Sequence, residues 1–69
     1  MKPLSPGKYL LSCKEKSPIA AAMNGHSAVW PAAEAVSDGE RVVLFKDGKQ
    51  VYSCNARYAA ANFEVTPLS

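Results

Sequence analysis

The chain has 69 residues, of which 48% are hydrophobic and 20% are charged, and its formal net charge is +2. This length allows one small domain, and the composition is too apolar for a disordered tail yet has no apolar run long enough for a membrane span. The small net charge disfavours a dedicated duplex-binding protein, because each phosphate contact needs a cation. We expect residues 1–7 to form an N-terminal arm and residues 8–69 a single small domain.

The first part of the domain predicts a strand followed by a short helix. Apolar residues on one side favour a strand from Lys8 to Lys14. Ser17-Pro18 is typical of a helix start, with serine as the N-cap and proline at the first helical position. Residues 19–23 are good helix formers, and Asn24-Gly25 suits a left-handed helix end. A hairpin turn at Asn24-Gly25 is the alternative.

Residues 26–36 allow two interpretations. In the first, residues 28–30 end a strand, and Pro31 opens a short helix over 32–36 that stops at Ser37-Asp38-Gly39. In the second, one helix covers the whole stretch. Apolar residues at helical spacing support the second interpretation: Val29, Ala32, Ala33 and Val36.

The strongest local pattern is a predicted hairpin in the second half. Residues 42–45 are apolar on both sides, as in a central strand, and residues 50–54 can return as its partner. Between them, Lys46-Asp47-Gly48-Lys49 places Asp-Gly where a tight turn needs positive φ. We therefore expect an antiparallel pair with a turn centred on Asp47 and Gly48.

A helical turn and a last strand are predicted after the hairpin. Asn55 can cap a turn from Ala56 to Ala61, and Asn62 can end it in the left-handed region. Residues 63–68 then alternate as a strand. Pro67 indicates that this strand ends there or lies at a sheet edge.

These elements predict an α+β domain, with a small antiparallel sheet of three to five strands and one or two short helices. A small SH3-like β-barrel is the alternative. Residues 8–13 partly match residues 49–54 in residue type, which suggests that these two strands pair. Such pairing would turn Cys13 and Cys54 toward one interior.

No catalytic, metal or cofactor site is predicted. Cys13, His26 and Cys54 lack the close-pair spacing of structural zinc sites, and no nucleophile elbow or phosphate-binding glycine loop is present. We expect a non-enzymatic protein with free thiols and with His26 in a surface loop. No secretory signal is visible, so we expect a cytoplasmic protein that does not bind membranes.

Binding residues are therefore the main functional candidates. A short β-domain has edges that can add a strand, and aromatic residues and arginine are common at binding hot spots. The partner-binding candidates are Trp30, Arg57, Tyr58, Phe63 and Val65. An alternative is single-stranded nucleic-acid binding, in which tyrosines stack on bases beside cations; its candidates are Lys8, Tyr9, Lys49, Tyr52 and Arg57.

Residues 58–66 resemble the helix-to-last-strand segment of a family of small phage-encoded inhibitors of bacterial RNA polymerase. The identity lies in Phe63-Glu64-Val65-Thr66. The family's acidic central helix has no clear equivalent here, so no functional residue is carried over. The resemblance implies an accessory protein of phage or mobile-element type. Together with the binding candidates, it predicts a small regulatory protein that docks on a larger protein. We also expect that two copies of the chain can associate with each other as a homodimer.

Overall fold

The computed structural model describes residues 3–68, which form a five-stranded antiparallel sheet and two helices. The strand order is β4-β3-β2-β1-β5, and the sheet is open at both edges. The prediction of a small α+β fold is therefore confirmed, and the barrel alternative is wrong. Met1 and Lys2 of the predicted arm and Ser69 of the predicted domain lie outside the described residues. The elements are β1 (Gly7–Cys13), α1 (Pro18–Met23), β2 (Ala32–Ser37), β3 (Arg41–Lys46), β4 (Lys49–Asn55), α2 (Ala56–Asn62) and β5 (Phe63–Pro67).

One face of the sheet carries the hydrophobic core. Side chains alternate between the two faces of each strand, so every second residue points toward α2 and the segment 14–31 that contains α1. We call this the covered face. Leu4 of the arm also reaches this core: its N–H donates to the Ala56 carbonyl at 3.2 Å, and the Ser37 hydroxyl donates to its carbonyl at 3.0 Å. The buried core residues are Leu4, Leu11, Val29, Ala33, Ala35, Val42, Leu44, Ala56, Ala59 and Phe63.

The helices predicted after Ser17 and after Asn55 are present, and each begins at its predicted cap. The Ser17 hydroxyl accepts the Ala20 N–H at 3.2 Å, and the Asn55 side chain accepts the Tyr58 N–H at 2.7 Å. Gly25 takes the left-handed conformation after α1, with φ 76°. The predicted left-handed end at Asn62 is wrong, because Asn62 remains helical and its side-chain amide donates to the Tyr58 carbonyl at 3.0 Å.

The predicted hairpin is confirmed between β3 and β4. Asp47 and Gly48 adopt φ of 52° and 78°, as a tight turn between twisted strands requires. The register between these strands shifts at Leu44/Phe45, which marks a bulge. At the other end of the chain, β5 is an edge strand, as Pro67 predicted.

The helix predicted within residues 26–36 is wrong, because residues 32–37 form the central strand β2. Ala33, Ala35 and Ser37 are buried, whereas Glu34 and Val36 are exposed, which is the two-residue period of a strand. β2 pairs with β1 on one side and β3 on the other. Hydrogen bonding on both sides outweighs the weak strand propensity of alanine.

The pairing suggested between residues 8–13 and 49–54 is also wrong, because β2 and β3 separate β1 from β4. Cys13 lies opposite Phe63 at the end of β1. Cys54 pairs with Val42 of β3, and this cross-strand row continues through β2 to Gly7 at the start of β1. The two cysteines are free and half-buried, and both pack against the core. They therefore occupy opposite ends of the sheet.

Candidate functional site

The sheet face opposite the helices is open within residues 3–68 and carries a patch of apolar side chains. Leu10, Val43 and Phe45 are half-buried, and Val36 is 44% exposed. The register places Glu34 between Leu10 and Phe45, and Val36 beside Val43. We call these five residues the open face. Cross-strand neighbours on one face are close enough to form one contiguous surface.

A groove runs along this surface toward the β3–β4 hairpin. It has a volume of about 570 Å³. Its lining consists of three open-face residues (Leu10, Glu34 and Phe45), two alanines of β2 (Ala32 and Ala33) and three residues at the hairpin (Lys46, Asp47 and Gly48). Glu34 is exposed and forms no hydrogen bond or ion pair with any residue from 3 to 68. The Lys46 ammonium group instead donates to the Trp30 carbonyl at 2.7 Å. The groove surface is therefore mostly polar, with apolar contributions from Leu10 and Phe45, and the Glu34 carboxylate in it has no partner within the described chain.

The covered face contains a polar cluster centred on His26. α1 reverses the chain after β1, and the His26 N–H donates to the Ala21 carbonyl at 2.7 Å. The His26 side chain is thereby held inside, where the residue is 1% exposed. Nδ1 lies 3.1 Å from Glu15 Oε1, and Nε2 lies 2.7 Å from the Tyr58 hydroxyl. The prediction that His26 lies in a surface loop is therefore wrong.

Hydrogen bonds and ring contacts fix the His26 side chain. The hydrogen bond with His26 holds the pKa of Glu15 below its ordinary value, and the Asn24 amide, which donates to Oε2 at 3.0 Å, acts in the same direction. The His26 ring lies 4.8 Å from the Phe63 ring and meets the Tyr52 ring edge-on at 5.9 Å. Burial and hydrogen bonding to Tyr58 raise the pKa of Tyr52 to about 12. The imidazole is thus oriented by both of its nitrogens and by aromatic packing.

Cys13 lies beside this cluster. A sulfur, carboxylate oxygen and ring nitrogen from Cys13, Glu15 and His26 all lie within 4.8 Å of one another. Burial raises the pKa of the Cys13 thiol, and the nearby Glu15 charge raises it further. A nucleophilic cysteine needs the opposite shift, so this arrangement does not favour thiolate catalysis. It is instead a group of three potential metal ligands of different types.

The predicted partner-binding residues divide between the core and its rim. Phe63 is 2% exposed and packs in the core, and Tyr58 and Val65 are half-buried against it. Trp30 is half-buried, and its indole N–H donates to the Glu15 carbonyl at 3.4 Å. Arg57 is exposed on α2. The structure brings Tyr58 and Phe63 together around His26, inside the fold rather than on one outer surface.

The residues of the nucleic-acid alternative do not meet on one surface. Tyr9 and Tyr52 both face the covered side, on strands that are not neighbours. The Tyr9 hydroxyl donates to the Ser5 carbonyl at 2.8 Å. Lys8 lies opposite Val36, on the open side of the sheet, while Lys49 begins β4 at the hairpin. Arg57 is the remaining member, on α2.

The residues of the open face and the Glu15–His26 pair were missed by sequence reasoning. The signal available for the open face was alternation along two strands. Leu10 alternates with Leu11 in β1, and Glu34 and Val36 alternate with the alanines of β2. For His26, no local pattern existed, because its partners Glu15 and Tyr58 lie 11 and 32 residues away in sequence.

No protein-family model matches the chain, and neither the curated proteins nor the solved structures contain a match to it. Within residues 3–68, neither helix has the length and apolar character needed to cross a lipid bilayer. The functional argument therefore depends on the geometry of the chain itself.

Proposed function

We propose that the protein is a non-enzymatic binding domain that docks on a larger protein through the open face. The observation that supports this is the apolar surface of Leu10, Val36, Val43 and Phe45, which no element of residues 3–68 covers. Contiguous apolar surface on a small protein often marks an interaction site. The core is already complete on the other side of the sheet, so these side chains are available for a partner.

Glu34 defines the chemistry of that partner. Its carboxylate lies in the groove between Leu10 and Phe45 and has no cationic partner within residues 3–68. A matching surface presents a lysine or arginine flanked by apolar side chains, so that the cation meets Glu34 while the apolar groups cover the patch. Charge complementarity of this kind sets specificity and register.

Single-stranded nucleic acid fits the open face less well. A phosphate backbone would approach Glu34, and like charges repel. Phe45 is the single aromatic residue of the open face, whereas stacking of successive bases needs several rings. Tyr9 and Tyr52, which were expected to supply them, face the covered side.

Photo-crosslinking from two surfaces tests the proposal. A benzophenone side chain replaces Val36 on the open face or, as the control, Ile19, which is 76% exposed on α1. Each variant is irradiated in a lysate of the source organism. We expect a crosslinked larger protein from position 36 and none from position 19, and we expect Glu34→Lys to abolish the product.

Several results would contradict the proposal. Equal products from both positions would show nonspecific capture, and no product from position 36 would remove the open face as a docking surface. A product formed by two copies of the chain would replace the larger partner with self-association. Salt-sensitive binding of a fluorescent single-stranded oligonucleotide that Glu34→Lys strengthens would favour the nucleic-acid alternative.

A further inference from the structure

We propose that Cys13, Glu15 and His26 form a binding site for one Zn²⁺ ion. The site lies where β1 ends and the segment containing α1 folds back over the covered face. It shares no residue with the open face. The proposal is therefore independent of the docking function.

The geometry is close to that of a three-ligand site. The three ligand atoms lie within 4.8 Å of one another, and His26 Nδ1 is already 3.1 Å from Glu15 Oε1. Around a tetrahedral zinc ion, a sulfur and a nitrogen ligand lie about 3.5 Å apart. The ligand atoms must therefore move closer together by about 1 Å, and rotation of the half-buried Cys13 and Glu15 side chains supplies this movement.

The donor set suits zinc rather than a hard cation. Zn²⁺ accepts thiolate sulfur, imidazole nitrogen and carboxylate oxygen in one site, whereas Mg²⁺ and Ca²⁺ prefer oxygen ligands alone. Three protein ligands leave a fourth tetrahedral position for water. The Glu15 side chain is mostly covered but keeps 11% of its surface exposed, so the site meets solvent on this side.

Tyr58 holds His26 in a suitable orientation for coordination. Histidine ligands usually donate their second ring N–H to a neighbouring acceptor. The Tyr58 hydroxyl lies 2.7 Å from Nε2 and provides that acceptor, while Nδ1 points toward Glu15. When the ring is neutral, Nδ1–H donates to the Glu15 carboxylate, which can only accept, and Nε2 accepts from Tyr58. Zinc binding exchanges the tautomer, so that Nδ1 binds the ion and Nε2–H donates to the tyrosine oxygen.

Cobalt titration of the full chain tests the site, since Co²⁺ takes the same tetrahedral positions and reports on sulfur ligation by absorption. We expect one equivalent of Co²⁺ to produce a sulfur-to-metal charge-transfer band, and Zn²⁺ to displace it. Cys13→Ser should abolish the band. Cys54→Ser is the matched control, because Cys54 is also free and half-buried but lies at the other end of the sheet; it should leave the band unchanged.

Zn²⁺ affinity and thiol protection give independent readouts. Calorimetry should show binding about tenfold or more weaker in Tyr58→Phe, which keeps the ring but loses the acceptor for Nε2. Zinc should also slow alkylation of Cys13 while leaving Cys54 unaffected. The proposal is overturned if Co²⁺ gives no charge-transfer band, if Cys13→Ser binds Zn²⁺ as tightly as the wild type, or if Cys54→Ser removes the signal.

Discussion

Leu10 and Leu11 are neighbours in the chain, yet they belong to different regions of the molecule. Leu11 points into the covered face and is fully buried, whereas Leu10 lies half-buried on the open face beside Glu34. The covered face also holds His26 with both ring nitrogens hydrogen-bonded. The difference teaches that similar side chains on one strand have different fates: one face stabilises the fold, and the other stays uncovered, where we propose that it binds a partner.

The largest expected effect tests this difference directly. Leu11→Ala should lower the free energy of unfolding by about 3 kcal/mol, because it leaves a cavity in the core. Leu10→Ala should lower it by less than about 1 kcal/mol, because its side chain is partly solvated in the free protein. Urea unfolding of both variants measures the two values. Equal losses would show that the two faces do not differ in their contribution to stability.

A smaller effect is expected from removal of the partly buried Tyr58 hydroxyl. Tyr58→Phe leaves His26 Nε2 without its partner and should cost about 1–2 kcal/mol. Tyr9→Phe is the matched control, because the Tyr9 hydroxyl donates to the Ser5 carbonyl at an exposed site and can be replaced by water. Thermal unfolding should show the larger drop in Tm for Tyr58→Phe. The reverse order would contradict the structural role given to the His26 cluster.

The pH dependence of stability sharpens the same comparison. The folded-state pKa of Glu15 lies below its ordinary value of 4.5, so the unfolded chain binds more protons as the pH falls through this region. Stability contributed by Glu15 is therefore present above pH 4.5 and is lost on acidification. Glu15→Gln should flatten the acid limb of the stability profile, measured by urea unfolding between neutral and acidic pH.

Glu34→Gln is the control for this acid limb. Glu34 lies on the open face and accepts no hydrogen bond from residues 3–68, unlike Glu15. We expect this variant to keep the wild-type slope. A flattened limb in Glu34→Gln together with an unchanged limb in Glu15→Gln would contradict the assignment of the acid-sensitive contact to the covered face.

The smallest effect is expected on the open face. Val36→Thr keeps a β-branched side chain on an exposed strand position, so unfolding should change by less than about 0.5 kcal/mol. The same variant should bind the proposed partner more weakly, because it removes apolar surface from the patch. A large loss of stability, measured by urea unfolding, would show that Val36 belongs to the folded core.

Local features of this fold were predictable from the sequence, whereas its long-range assembly was not. Ser17, Asn55 and Asp47-Gly48 act on neighbouring residues, so the two helix starts and the hairpin were predicted correctly. β2 was missed for two reasons. Its alanines make both faces of the strand apolar, so the apolar residues also fit helical spacing. The last buried residue of the strand, Ser37, is polar, so the strand does not show a simple apolar–polar alternation.

The site depends still more on distant contacts. The order of β1 and β4 in the sheet and the burial of His26 are set by residues far apart in sequence, and no propensity encodes them. Cys13 and Glu15 are close in the chain, but their relation to His26 arises only when the residues after α1 fold back onto the covered face. Tertiary placement therefore decides which candidate residues form a site.

The pairing of β1 with β5 has a consequence during synthesis. Of the five described strands, β1 is synthesised first, but one of its two neighbours, β5, is synthesised last. The registered partners Leu11 and Val65 are 54 residues apart in sequence. Contacts of such long range form slowly because a large loop must close first. A nascent chain that stops short of β5 therefore exposes a flank of β1, where chaperones or other unfinished chains can attach.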